Sequence, residues 1–198
     1  YMEKTFGKYP WKQYSFVHGG DGGMEYPMAT LLAGPGLGGA FHEWMHSWYQ
    51  GMLGTNESMY AWMDEGFTSY AEHRVTAWYH KEMLRLHPDD RGWQNQVAQD
   101  DAGLPRDHSV AYDQYFGLVR SGLEEPLTTH ADHFNTNFAY NIGSYFKGEM
   151  FLEQLGYIVS DTVRDEILHE YYREWRFKHP NAGDFLRVAP MGRGVRLD

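Results

Sequence analysis

His42-Glu43-Trp44-Met45-His46, followed after eighteen intervening residues by Glu65 in Trp62-Met63-Asp64-Glu65-Gly66-Phe67, decides how this chain is read. In a helix of about 3.6 residues per turn, positions four apart share a face, so His42 and His46 offer two imidazole nitrogens to one ion. Glu43 lies just round that face, where it reaches a water on the ion without binding the ion itself. A catalytic zinc takes three protein ligands and keeps a fourth position open, and Glu65 is the candidate third ligand. Glu72, two helical turns beyond Glu65, is placed to accept a hydrogen bond from a ligand histidine and fix its ring.

With 11 His and 14 Glu among 198 residues, H-E-x-x-H arises by chance in about one such chain in twenty-five. The pentapeptide therefore needs independent support, and the rest of the chain is read for it. The length suits one domain with a sizeable core. A hydrophobic content of 42% with 22% charged residues marks a chain that folds. The net charge of −10 argues against a nucleic-acid partner and mildly favours cationic ligands such as free amino termini. There is no cysteine, which removes thiolate-ligated zinc, disulfides and thiol nucleophiles together. No run approaches the roughly 18 to 20 apolar residues of a membrane span, so none is expected in this chain. The opening Tyr1-Met2-Glu3-Lys4 suggests a portion of a longer protein.

The fold class expected is α+β, a small N-terminal β part followed by a mainly helical lobe. Tyr14–His18 reads as β-prone, and Met24–Leu32 as an extended segment that Pro27 confines to a sheet edge. Glu25 on that edge points into the cleft, beside open backbone groups that can pair with an extended peptide. Helices are expected from Gly38 to Tyr49, Tyr60 to Arg85, Ala111 to Ser121, Asp161 to Phe177 with Asp161 as N-cap, and Phe185 to Ala189. Residues 93–135 are the least regular third. Their His130 and His133 lack a third ligand nearby and read as a surface pair. Tyr145 falls at or near another helix start.

Three landmarks together resemble the gluzincin aminopeptidases of the aminopeptidase N type, which have a thermolysin-like catalytic domain. Gly22-Gly23-Met24-Glu25-Tyr26 is similar to that family's G-A-M-E-N exopeptidase motif, with Gly23 and Tyr26 departing from it. His42-Glu43-x-x-His46 with Glu65 matches its zinc motif, and Tyr145-x-Lys147-Gly148, with Tyr140 five residues earlier, resembles the segment carrying its catalytic tyrosine. The resemblance implies one Zn2+ held by His42, His46 and Glu65, with Glu43 as general base and Tyr145 as donor to the oxyanion. It further implies a substrate site bordered by Gly22, Gly23, Met24 and Tyr140, where Glu25 binds the substrate's α-ammonium. The partner so implied is a peptide with a free N-terminus, hydrolysed at its first bond by a catalytic domain whose usual flanking domains lie outside this chain. An exported bacterial enzyme is expected on the same ground. Two rivals keep parts of this pattern: a thermolysin-like endopeptidase or other zinc hydrolase, which would not depend on Glu25, and a non-catalytic peptide-binding domain, which needs neither Glu43 nor Tyr145.

Overall fold

The computed structural model describes residues 1–20, 22–102 and 108–191, the last three without their side chains. The chain passes through α1 (Met2–Phe6), β1 (Ser15–His18) and β2 (Ala29–Leu32) to α2 (Leu37–Met45). A π-helical turn, Trp62–Gly66, leads into α3 (Phe67–Leu86), after which come α4 (Arg91–Ala102), α5 (Ser109–Ser121) and α6 (Asn137–Asn141). A second π-helical turn, Ile142–Lys147, leads into α7 (Gly148–Val159), then α8 (Asp161–Trp175) and α9 (Ala182–Met191). This is the α+β arrangement expected, with the β part small and first.

The two strands pair in parallel, Ser15 opposite Ala29 and His18 opposite Leu32. The expected continuous strand from Met24 to Leu32 is broken. Pro27 and Met28 form a turn, Met28 takes φ of 59°, and the Ala29 N–H donates to Tyr26 O at 3.0 Å. Met24 returns alone to make an antiparallel bridge to Leu31. Glu25 therefore lies in a loop laid along β2 and not within a strand. Proline explains the break, since it supplies no ladder donor.

Helix ends also differ from the periodicity. α2 stops at Met45 because the next N–H groups reach back only three residues, Ser47 to Trp44 O and Trp48 to Met45 O, at 3.0 and 2.9 Å. His46 keeps a helical backbone and donates to His42 O at 3.2 Å, so the four-residue spacing of the two imidazoles survives the tightening. α8 is capped by the Ser160 hydroxyl, which accepts from the Val163 N–H, and not by Asp161. α4 has too few apolar residues to announce itself. It is fixed on α3 by Trp93 against Tyr79, at 5.8 Å between ring centroids, and by His80 Nδ1 at 2.8 Å from Asp100. α9 begins three residues earlier than expected, at Ala182.

The core gathers on the inner face of α3. Phe67 packs edge-on against Tyr171 of α8 and Phe185 of α9, with centroids 6.4 and 5.0 Å away, and all three are buried. Met45 and Trp48 bring α2 into the same cluster, and Trp62 and Phe151 bring in the first π turn and α7. The closest approach comes at two glycines. A Cβ on Gly66 would stand 2.5 Å from Gly148 Cα and 2.7 Å from Ser144 O, and a Cβ on Gly148 would stand 2.8 Å from Trp62 O. The obstacles are backbone, so they cannot swing aside. Gly148→Ala is expected to cost about 1–3 kcal/mol as an overpacked core contact. A thermal melt followed by circular dichroism should show a drop of several degrees, and an unchanged midpoint would mean that the helices do not meet there.

Candidate metal centre

Three nitrogen and oxygen atoms from α2 and the first π turn form a nearly equilateral triangle. His42 Nε2 and Glu65 Oε2 are 3.2 Å apart, His46 Nε2 and His42 Nε2 are 3.2 Å apart, and His46 Nε2 and Glu65 Oε2 are 3.3 Å apart. Ligands about 2.0–2.1 Å from a tetrahedral zinc are separated by about 3.3–3.4 Å, so the donor set fits that ion in type and in size. Helical spacing brings the two imidazoles together. Glu65 enters from the π-helical turn, a form of helix frequent at functional sites.

The surroundings hold the triangle in place. His46 is buried, and its Nδ1 has Asp64 Oδ1 at 2.8 Å, Thr68 Oγ1 at 3.2 Å and Tyr49 O at 3.3 Å. Asp64 thus sets a carboxylate in ion-pair contact with a ligand ring, a position the sequence reading gave only to Glu72, while the hydrogen bonds at that nitrogen are made with Thr68 and Tyr49. Glu72 Oε2 does face His42 Nδ1, but at 4.0 Å it is beyond hydrogen-bond distance. The adjacent acid in Asp64-Glu65 was the one available signal for Asp64, and it says nothing of direction.

Electrostatically the site is short of positive charge. Burial alone would lower the pKa of His46, yet the carboxylates of Asp64 and Glu65 outweigh it and push the group well up. Burial would likewise raise Glu65, but His42 and His46 hold it below the usual carboxylate range. Glu43 goes the other way. Burial raises its pKa, the two imidazoles only partly offsetting this, and Glu25 and Glu65 raise it further. Its Oε2 has no hydrogen-bond partner among the described residues. Gly23 lies directly over it, where a Cβ would stand 2.2 Å from Glu43 Oε1, so no side chain fits between the loop and the carboxylate.

Tyr145, in the second π turn, stacks on His42 with ring centroids 5.8 Å apart. Burial, with the carboxylate of Glu65 beside it, pushes the phenol up and keeps it a proton donor. A carboxylate oxygen of Glu25 comes within 4.8 Å of a His46 nitrogen and an Asp64 oxygen, so the loop does deliver this residue to the centre. An open cleft of about 540 Å³ runs along it, lined by Gly22, Gly23, His42, Glu43, Glu72 and Tyr145 among others. Tyr140 sits one turn before Tyr145, edge-on to Phe134, while Met24 stays at the β2 edge. The rings of His130 and His133 lie tilted at 34° with centroids 4.8 Å apart, and neither belongs to a three-residue metal-binding group among the described residues.

Residues 40–192 match the Peptidase family M1 domain. The chain belongs to that family. Its similar proteins include human aminopeptidase B, 29% identical over 93% of this chain and 28% of that protein. A leukotriene A-4 hydrolase homolog of Botryotinia fuckeliana is 26% identical over the same shares. Among solved structures, an M1 zinc metallopeptidase of Deinococcus radiodurans superposes with a TM-score of 0.68 at 20% identity, covering 98% of this chain and 39% of that one. Native yeast LTA4 hydrolase gives 0.64 at 21%, covering 96% and 30%. The chain thus spans under a third of the length of these curated relatives, and no helix among the described residues is long and apolar enough to cross a membrane.

Because Asp64 is in ion-pair contact with the His46 ring, Asp64→Asn is expected to weaken metal binding about 10- to 100-fold while leaving the site able to fill. Competition with a zinc chelator measures this. An unchanged affinity would assign the orienting role to Thr68 or Tyr49.

Proposed function

We propose that this chain is the catalytic domain of a zinc aminopeptidase, part of a longer multidomain protein, which removes amino-terminal residues from peptides. The observation that carries the reading is the His42, His46 and Glu65 triangle with the buried, unpartnered carboxylate of Glu43 beside it. The names of the similar proteins, aminopeptidase B and leucine aminopeptidase 2, support the reaction class.

His42, His46 and Glu65 would hold the ion. Bound there, zinc acidifies its water and polarises the scissile carbonyl. Glu43, its pKa already raised by burial, takes the proton of the attacking water and passes it to the leaving amine. Tyr145, kept protonated, donates to the oxygen that gains charge as the carbonyl carbon becomes tetrahedral. Glu25 stands at the same centre and pairs with the α-ammonium, which needs a counter-charge when it leaves water. That pairing fixes the register of the substrate, so that the first peptide bond and no other lies over Glu43. Flanking segments, absent from these 198 residues, would close the cleft.

The test is a pair of substrates, a dipeptide with a free amino terminus and its N-acetylated form, assayed on the whole protein. Cleavage confined to the free amine is expected, and equal rates on both would replace the aminopeptidase with an endopeptidase. Glu43→Gln should abolish turnover with zinc still bound; metal loss on that change would make Glu43 a ligand. For Tyr145→Phe, kcat should fall about 10²-fold or more with little change in KM, as expected for a donor used only in the transition state. An unchanged rate removes the phenol from the reaction.

A further inference from the structure

One residue after Glu72, α3 carries a second imidazole, His73, that meets α7 rather than α2. His73 Nδ1 lies 2.6 Å from Glu149 Oε1, and His108 Nδ1, at the head of α5, lies 2.5 Å from the same oxygen. The three donor atoms fall within 4.8 Å of one another. Glu149 is 0% exposed, His108 3% and the His73 side chain 21%, so two of the three are withdrawn from water. Glu149 Oε2 has no hydrogen-bond partner among the described residues. Nothing in the proposed reaction uses these groups.

The second nitrogen of each ring also faces a carboxylate. His108 Nε2 is 3.3 Å from Glu153 Oε1, and His73 Nε2 is 3.6 Å from Glu72 Oε2. A neutral imidazole has one N–H and one lone pair. If the His108 N–H is directed at Glu153 and the His73 N–H lies on Nε2, which faces Glu72 beyond hydrogen-bond distance, both Nδ1 lone pairs confront the carboxylate of Glu149, and a positive particle must lie between them. Two further protons meet that need, and so does one divalent cation. Outer carboxylates that fix the ring while its other nitrogen points inward are the usual surroundings of metal-bound histidine. The guanidiniums over the Tyr70 ring that stacks on His108 are engaged elsewhere, Arg164 with Glu153, Asp161 and Asp165 and Arg74 with Asp165.

We propose that His73, His108 and Glu149 form a second divalent-cation site, separate from the His42, His46 and Glu65 triangle. Two imidazoles and a carboxylate suit zinc best. The separations of 2.5 and 2.6 Å belong to the proton-filled state. With the ion in place they open toward the 3.2–3.3 Å edges of the first triangle, and Glu149 Oε2 gains a positive partner. The ion would pin α3, α5 and α7 together directly behind Glu72, which makes its role structural.

Zinc content settles this, measured by elemental analysis on the whole protein after loading and desalting. Expected are two equivalents for the unaltered protein and one for His73→Ala, with one also remaining in the double variant His42→Ala/His46→Ala. Glu149→Gln should lose the same equivalent as His73→Ala; because Glu149 is fully buried and that variant risks misfolding, the partly exposed His73 carries the test. A zinc equivalent that His73→Ala removes and the double variant retains supports the site. A zinc count that His73→Ala leaves unchanged overturns it and leaves a cluster held by protons. The readout is metal and not turnover, so failure here and failure of the aminopeptidase reading are told apart.

Discussion

Two backbones touch at Gly66 and Gly148, and the chemistry of the molecule is laid out around that contact. It presses the π turn bearing Glu65 against the helix that continues from Tyr145. Side chains normally keep packed helices about 8–10 Å apart. Removing both Cβ atoms lets the carboxylate that completes the metal triangle and the phenol stacked on His42 reach one small volume. The same contact aligns α3 with α7 further along, so that His73 meets Glu149. One close approach between glycines thus sets the geometry of both clusters.

What was legible in the sequence is what local geometry fixes. His42 and His46 share a helix face by spacing alone, and the downstream Glu65 of the H-E-x-x-H pattern named the third corner, although its meeting with the histidines is a tertiary contact. The small β part and the long helices near it followed from periodicity and proline. What was not legible depends on contacts between distant segments. The direction of Asp64 depends on the π turn, which shifts the register so that neighbouring acids both face His46. Glu149 reads as one of two acids on an apolar helix until His108, forty-one residues away, is folded onto it. Helix α4 escaped because it is polar, with no buried residue of its own. Glu25 comes near His46 and Asp64, carried there by a loop and not by the expected strand.

Buried polar groups of this kind work against stability, and the surrounding residues show how the cost is contained. A carboxylate withdrawn from water must be met by hydrogen bonds or charge. Glu149 is met by two imidazoles. Glu153 and Asp165 are met by Arg164, itself almost fully buried, and Asp165 also by Arg74 through two hydrogen bonds of 2.7 and 3.0 Å. Both guanidiniums lie over the ring of Tyr70. That ring in turn stacks on His108 of the second His–His–Glu cluster, with centroids 5.0 Å apart.

The catalytic cleft is balanced differently. Glu43 and Glu72 line it, Glu25, Asp64 and Glu65 lie beside the histidines of the metal centre, and neither lysine nor arginine appears among the lining residues. His42 and His46 cannot offset five carboxylates. On the proposed reading one divalent ion would remove part of the excess, and Glu25 would keep a carboxylate beside His46 and Asp64. An endopeptidase substrate would have to run its uncharged backbone past that carboxylate and desolvate it without compensation. A free amino terminus brings the missing cation with it. The charge distribution therefore favours the proposed aminopeptidase over an endopeptidase.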